Sequence, residues 1–227
     1  MIKIESIRIF GWMAAIEGAR NPLNSWDKSD STGSEYFTFT IGPKDHDLLM
    51  KLAKGGSDHG KWRRMVHVSM DVTAPLYWWK EFDTYKVGTV ANSCSTIHTI
   101  HKKKFTLDDF SCEHLGYYNP ETDGYEIVEP VFLNGTPYDS MSFLVDTIAG
   151  LNEFRKRYLE TQDKKYWWQM IQLLPSSFNQ MRTVDLNYEV LANMYRQRRN
   201  HKLDEWHKFC DMIEGLPHSE FITLKEE

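Results

Sequence analysis

The fold is decided by residues 59–98, "HGKWRRMVHVSMDVTAPLYWWKEFDTYKVGTVANSCSTIH". Within this stretch Arg64–Val72 alternates apolar and polar side chains with period two, the pattern of a half-buried strand. Ala74–Tyr85 reads as a helix, with Pro75 in its first turn and Trp78 and Trp79 directed into a core or a subunit interface. Residues 87–98 then become plain and polar: glycine, threonine, asparagine, serine, cysteine and finally histidine. Such residues present backbone N–H groups and hydroxyls to a phosphate or a base edge, although a solvated turn has the same composition.

On the N-terminal side, Ile2–Phe10 alternates as a strand, Trp12–Arg20 suits a short helix, and residues 21–35 are a loop of turn formers. Tyr36–Ile41 is β-rich, and the helix after it opens at Pro43 and stops at Gly55-Gly56. On the C-terminal side the pattern weakens over residues 86–137, where "NPETDG" reads as a turn and "YEIVEPVFLNG" as an extended piece. Ser142–Leu159 places Phe143, Leu144, Ile148, Leu151, Phe154 and Tyr158 near the helical period. Lys164–Leu174, Asp185–Arg199 and Leu203–Glu214 complete an all-helical C-terminal part. The expectation is one α+β domain over residues 1–227, with a small mixed or antiparallel sheet and a helical C-terminal half.

A 41% hydrophobic and 26% charged composition is that of an ordinary globular protein, and a formal net charge of −5 gives no basic footprint for nucleic acid. Cys94, Cys112 and Cys210 are odd in number and scattered, which fits a reducing cytoplasm better than a disulfide framework. "MIKIESIRIFGW" has a strand pattern and not that of a signal peptide. No apolar run approaches the roughly 20 residues needed to cross a bilayer, so a soluble cytoplasmic protein is expected. Eight tryptophans suit a rich core, a flat ligand or a subunit interface.

Three arginines, Arg196, Arg198 and Arg199, close a helix. They complement its dipole there, and their planar forks also suit a phosphate or carboxylate. A metal site is not expected. Cys94, His98, His101, Cys112 and His114 lie close in sequence, but without a CxxC or HxxxH pair and beside the cations of Lys102–Lys104. Cys94 has no base partner that would make it a nucleophile, and it is read as a small buried thiol.

Taken with "LLPSSFNQMR" and "RRNHKLDEW", the stretch from residue 59 to 98 resembles the flavin-dependent thymidylate synthases. In that family a "HETPFEH" segment leads to a strand, an "AP" helix start and the signature RHRxxSxNExSxRY. A later "LRxxxxAQW" follows. Aligned on Ala74-Pro75, His59 falls on the first histidine of that segment and Glu81 on the glutamine before the signature. Arg199 and Trp206 match the arginine and tryptophan of the later motif, and Arg182 is the nearest match to a second nucleotide-binding arginine. The signature itself has drifted: Thr84, Tyr85 and Lys86 stand where the family has RHR, Thr89 replaces the first serine, and Asp185, Leu186 and Asn187 stand for "NAR".

The resemblance implies dUMP or a related pyrimidine nucleotide as substrate. It implies FAD as cofactor, with NADPH and methylenetetrahydrofolate as co-substrates, and a homotetramer. It assigns Arg199, Arg182, Glu81, Asn92, Ser93, Cys94 and Ser95 to the nucleotide, and His59, Ser69, Lys86 and Thr89 to the flavin. No catalytic side chain is assigned, since the cofactor carries the chemistry. The alternative is a non-catalytic nucleotide- or anion-binding protein that keeps this fold without flavin.

Overall fold

The N-terminal alternation forms β1 (Lys3–Phe10). Gly11, at φ +101°, turns the chain into α1 (Trp12–Arg20) so close to the backbone of Met65 that a Cβ would sit 1.9 Å from its carbonyl oxygen. Two 3-10 turns, Asn21–Leu23 and Trp26–Lys28, precede a short antiparallel pair, β2 (Thr32–Gly33) and β3 (Phe39–Thr40). Next, α2 (Pro43–Lys54) opens on Pro43 with Asp45 in its first turn and closes on Lys51 and Lys54, the charge order its dipole favours.

In the computed structural model the decisive strand is shifted from its expected place. It is β4 (His67–Pro75), preceded by a 3-10 helix at Gly60–Met65. Val68, Met70, Val72 and Ala74 are its buried row, and Pro75 ends the strand instead of opening the helix α3 (Leu76–Phe82). Residues 86–137, weakly patterned in sequence, contain β5 (Thr89–Ser93), α4 (Thr96–Thr99) and two antiparallel hairpins. These are β6 (Gly116–Asn119) with β7 (Gly124–Ile127), and β8 (Val131–Leu133) with β9 (Thr136–Tyr138). Asn134 and Gly135, at φ 51° and 80°, make the β8–β9 turn, the positive-φ pair that a two-residue hairpin requires.

The C-terminal part is not all helical. After α5 (Ser140–Thr161) and α6 (Lys164–Leu173) comes β10 (Asn179–Asn187), whose last three residues, from Asp185, the sequence reads as the start of a helix. Only then do α7 (Tyr188–Arg198), α8 (Asp204–Glu214) and α9 (Glu220–Thr223) follow. Asp139, Asp163 and Asn187 cap α5, α6 and α7 by accepting backbone N–H bonds at 2.7, 3.0 and 3.1 Å. Strands β1, β4, β10 and β5 lie in that order in one four-stranded sheet.

The structure describes all residues except 1, 35–37, 120, 122–123, 128–130 and 225–227, so parts of the Tyr36–Ile41 strand, of "NPETDG" and of "YEIVEPVFLNG" fall outside it. Two compact units are present: Thr73–Glu81 with Ser93–Met181, and Ile2–Val72 with Phe82–Asn92 and Arg182–Glu227. The first unit buries Ile100, Phe105, Phe110, Leu144, Ile148, Leu151 and Met170 as one cluster, and buries Trp78 and Trp79 as well. The second buries Val68, Met70 and Val184 of its strands together with Leu191, Met194, Trp206, Phe209 and Phe221 of its helices. Among the described residues no helix is long and apolar enough to cross a membrane.

Candidate functional site

In the second unit two cavities share a wall formed by Glu189, Asn193 and Arg196 of α7. The larger, about 580 Å³, has Arg64, Lys86 and Arg196 on its walls. Gly88, at φ +75°, lets residues 86–88 reach it. A Cβ there would sit 3.1 Å from both Asn187 Nδ2 at the cap of α7 and Val190 Cγ2 in its first turn. The second cavity, about 450 Å³, adds Lys54 and Arg63.

Glu189 is the carboxylate common to both cavities, and it is already paired with Arg63 at 2.6 Å. Arg63 is 94% buried, because its side chain lies under α9 and donates to the Phe221 carbonyl. Burial pushes its pKa down and Glu189 opposes that shift. With Glu189 committed to Arg63, three cations around the larger cavity are left without a matching carboxylate on its walls, which is the electrostatics of an anion site.

The loop that carries Lys86 is anchored by a stack. The Arg198 guanidinium lies 5.4 Å from the Tyr85 ring centroid and 4.9 Å from that of Trp206. Arg198 Nε donates to the Tyr85 hydroxyl at 2.8 Å, and that hydroxyl donates to Gln197 Oε1 at 3.0 Å. Tyr85, which stands in the signature position, is thus a structural residue in this chain.

In the first unit a cavity of about 150 Å³ is lined by Cys94, Thr96, Lys103, Lys104 and Gln180. Gln180 Nε2 donates to the Cys94 carbonyl at 2.9 Å and to Thr96 Oγ1 at 3.2 Å, and the Cys94 amide donates to the Met181 carbonyl at 2.9 Å. These bonds fix the backbone and leave the thiol exposed, so the expectation of a buried Cys94 is corrected. Ser95 caps α4, and its Oγ accepts from the His98 amide.

The architecture matches solved structures closely enough to name the fold. Thymidylate synthase X (ThyX) from Helicobacter pylori, crystallised with FAD and dUMP, superposes with a TM-score of 0.65 over 97% of this chain and 96% of that chain, at 16% identity. A second structure of the same enzyme with FAD and dUMP gives 0.64 over 98% and 100%, again at 16% identity. The UMP/dUMP methylase PolB from Streptomyces cacaoi, bound with 5-Br dUMP, gives 0.56 over 95% and 88%, at 12% identity. The chain has the fold of the flavin-dependent thymidylate synthases. No protein-family model and no curated protein sequence matches it.

On this thymidylate synthase fold the expected flavin residues all fall in the second unit. The structure places Lys86 on the larger cavity wall. His59 is exposed at the start of the 3-10 helix, and Thr89 lies on β5 with its Oγ1 buried and unbonded among the described residues. Ser69 sits on the polar face of β4, between His67, which contacts Asp185 at 3.0 Å, and Asp71, which accepts from Thr183 at 2.6 Å.

The expected nucleotide residues divide between the units. Glu81, Ser93, Cys94 and Ser95 belong to the first, and Asn92, Arg182 and Arg199 to the second. Arg182 pairs with Asp83 at 2.7 Å, and Arg199 is held by Asp211, with Glu214 at 3.6 Å. Arg63 and Arg64, absent from the expected set, stand in sequence as "KWRRM" just before the strand, where Arg64 reads as the first strand residue and Arg63 as the residue before it.

Proposed function

We propose that the chain is a divergent flavin-dependent methylase. In this reading it transfers a one-carbon unit from methylenetetrahydrofolate to dUMP or a related pyrimidine nucleotide, with NADPH as reductant, and works as a homo-oligomer. The observation that carries the reading is the convergence of Arg64, Lys86 and Arg196 on one cavity whose single acidic wall residue is already paired. Those cations, with the cradle that Gly88 leaves open beside Asn187, fit the diphosphate of FAD. When bound, the flavin supplies the hydride and the carrier for the transferred carbon.

The chain's own residues bind and orient. Lys86 and Arg196 hold diphosphate oxygens, the Tyr85–Arg198–Trp206 stack fixes the loop that carries Lys86, and Arg199 and Arg182 serve the nucleotide phosphate once their carboxylate partners yield. Charge-assisted bonds of this kind are worth roughly 1.5–3 kcal/mol each. Lys86→Ala is therefore expected to weaken FAD binding by about 10- to 100-fold in a fluorescence titration while leaving the fold intact. Unchanged affinity would remove the diphosphate from this cavity.

Arg199→Ala is expected to weaken dUMP binding by roughly 10-fold in calorimetry, the low end for a phosphate contact, because Asp211 already competes for the guanidinium. A second reading, nucleotide binding without flavin, draws on one observation. Tyr85, in the place of a signature cation, is committed to Arg198 and Gln197. Absorbance between 350 and 500 nm after incubation with FAD and gel filtration separates the two readings, since only the first retains a flavin band.

A further inference from the structure

A third cavity of the second unit, about 340 Å³, lies between α1 and the loop that follows it and shares no wall residue with the other two. Met13, Ile16, Trp26 and Phe39 make its apolar sides, Arg20 its floor, and Glu17 stands among them. Trp26 and Met13 are 50% and 53% exposed, a poor place for large apolar side chains unless something covers them. The size falls within the roughly 300–1,000 Å³ range of small-molecule sites.

The floor is built and rigid. Arg20 is 95% buried, and its Nε, Nη1 and Nη2 donate to Asp45 Oδ1, the Ser25 carbonyl and the Lys28 carbonyl at 2.6, 3.2 and 3.1 Å. A guanidinium has about five N–H donors, so roughly two remain without an acceptor among the described residues. The Trp26 indole is itself positioned, its Nε1 donating to Asn21 Oδ1 at 2.8 Å. Ser29 Oγ donates to Asp45 Oδ2 and keeps lone pairs for another donor.

We propose that this cavity binds a small, neutral, flat aromatic amide or lactam. The ring fits between Trp26, Met13 and Phe39, the carbonyl takes the remaining Arg20 N–H groups, and the amide N–H faces Glu17 or Ser29. A neutral ligand is specified because Asp45 already matches the Arg20 charge and Glu17 adds a negative one. This inference is independent of the nucleotide reading.

The test is NMR titration of the full-length protein, carrying ¹⁵N-indole tryptophan, with benzamide and with benzoate, which share a ring and differ in charge. The Trp26 indole signal is identified by its loss in Trp26→Ala. Benzamide is expected to shift that signal saturably with a dissociation constant on the order of 1 mM, at least about 10-fold tighter than benzoate. Trp26→Ala is expected to lose benzamide binding by about 10-fold or more, read by ligand saturation transfer, and Glu17→Gln to narrow the preference over benzoate. No saturable shift at Trp26, benzamide binding retained in Trp26→Ala, or benzoate binding as tight as benzamide each overturns the proposal.

Discussion

Asp45→Ala is expected to cost about 3–5 kcal/mol, the loss typical of breaking one side of a buried ion pair. The Asp45 carboxylate is fully buried in the first turn of α2, where it pairs with Arg20 at 2.6 Å. Its second oxygen accepts from Ser29 Oγ, Ser31 Oγ and the Asp30 and Ser31 amides at 2.6–3.1 Å. Removing it strands the Arg20 cation and unties the loop over residues 29–31 in one step, so the effect exceeds that of an exposed pair. Burial pushes the Asp45 carboxyl up, but the bonds from Ser31, Ser29, Arg20 and Asp30 outweigh it and hold the pKa at about 2. The sign follows from that depression. The stabilisation is fully present above the unfolded-state value near 3.8 and is lost as pH falls through about 2. Urea unfolding of the native protein and of Asp45→Asn should therefore show a gap that is constant from pH 7 to pH 5 and closes between about pH 4 and pH 2. A gap that does not change with pH would mean that the network stabilises through shape and not through charge.

The sequence made the periodic elements visible and hid those whose period is broken or polar. β1 was legible from its alternating residues, and α1, α2, α5, α6 and α8 because each has one apolar face and a cap or stop where it should be. β10 was hidden because only Val184 and Leu186 form its buried apolar row. Met181, Arg182, Thr183 and Asp185 are not buried, and the run passes into α7 with only Asn187 to mark the border. Arg64 continued the alternation of β4 in one dimension, with Arg63 just outside it. In the structure those residues form a tight 3-10 turn that turns one arginine into the core and puts the other on the cavity wall.

The site was half legible for a similar reason. Lys86 and Arg196 were singled out by their position and clustering, and both line the larger cavity. No periodicity could pair them with Arg64, since that juxtaposition comes from chain segments far apart in sequence. Nor could sequence separate the roles of Arg196, Arg198 and Arg199. Arg196 and Arg198 point about 200° apart on the last turn of α7 and Arg199 caps it, and the three meet a cavity, an aromatic sandwich and a carboxylate pair respectively.

Trp206 is where stability and the site meet, and Trp206→Ala is expected to remove about 3–5 kcal/mol, the range for emptying a buried large aromatic site. The ring is fully buried, lies edge-on to Phe209 at 5.6 Å and to Tyr85 at 6.1 Å, and carries the Arg198 guanidinium on its face. Truncation empties that volume and takes away the surface that balances a partly buried cation, so Arg198 and Tyr85 lose their fixed relation. Tyr85 is the residue before Lys86. Loosening it lets the lysine ammonium sample positions off the cavity wall, and an anion bound there pays the ordering entropy again. Trp206→Phe separates the two effects. It keeps an apolar ring against Phe209 and should recover most of the stability, but it offers Arg198 a weaker face and a shorter reach. The expected pattern is a melting temperature close to that of the native protein in Trp206→Phe, with affinity for a diphosphate such as ADP reduced by a few-fold, and loss of both in Trp206→Ala. If Trp206→Phe binds ADP as tightly as the native chain, the stack serves the core alone, and Lys86 is held at the cavity by Gly88 and the first turn of α7.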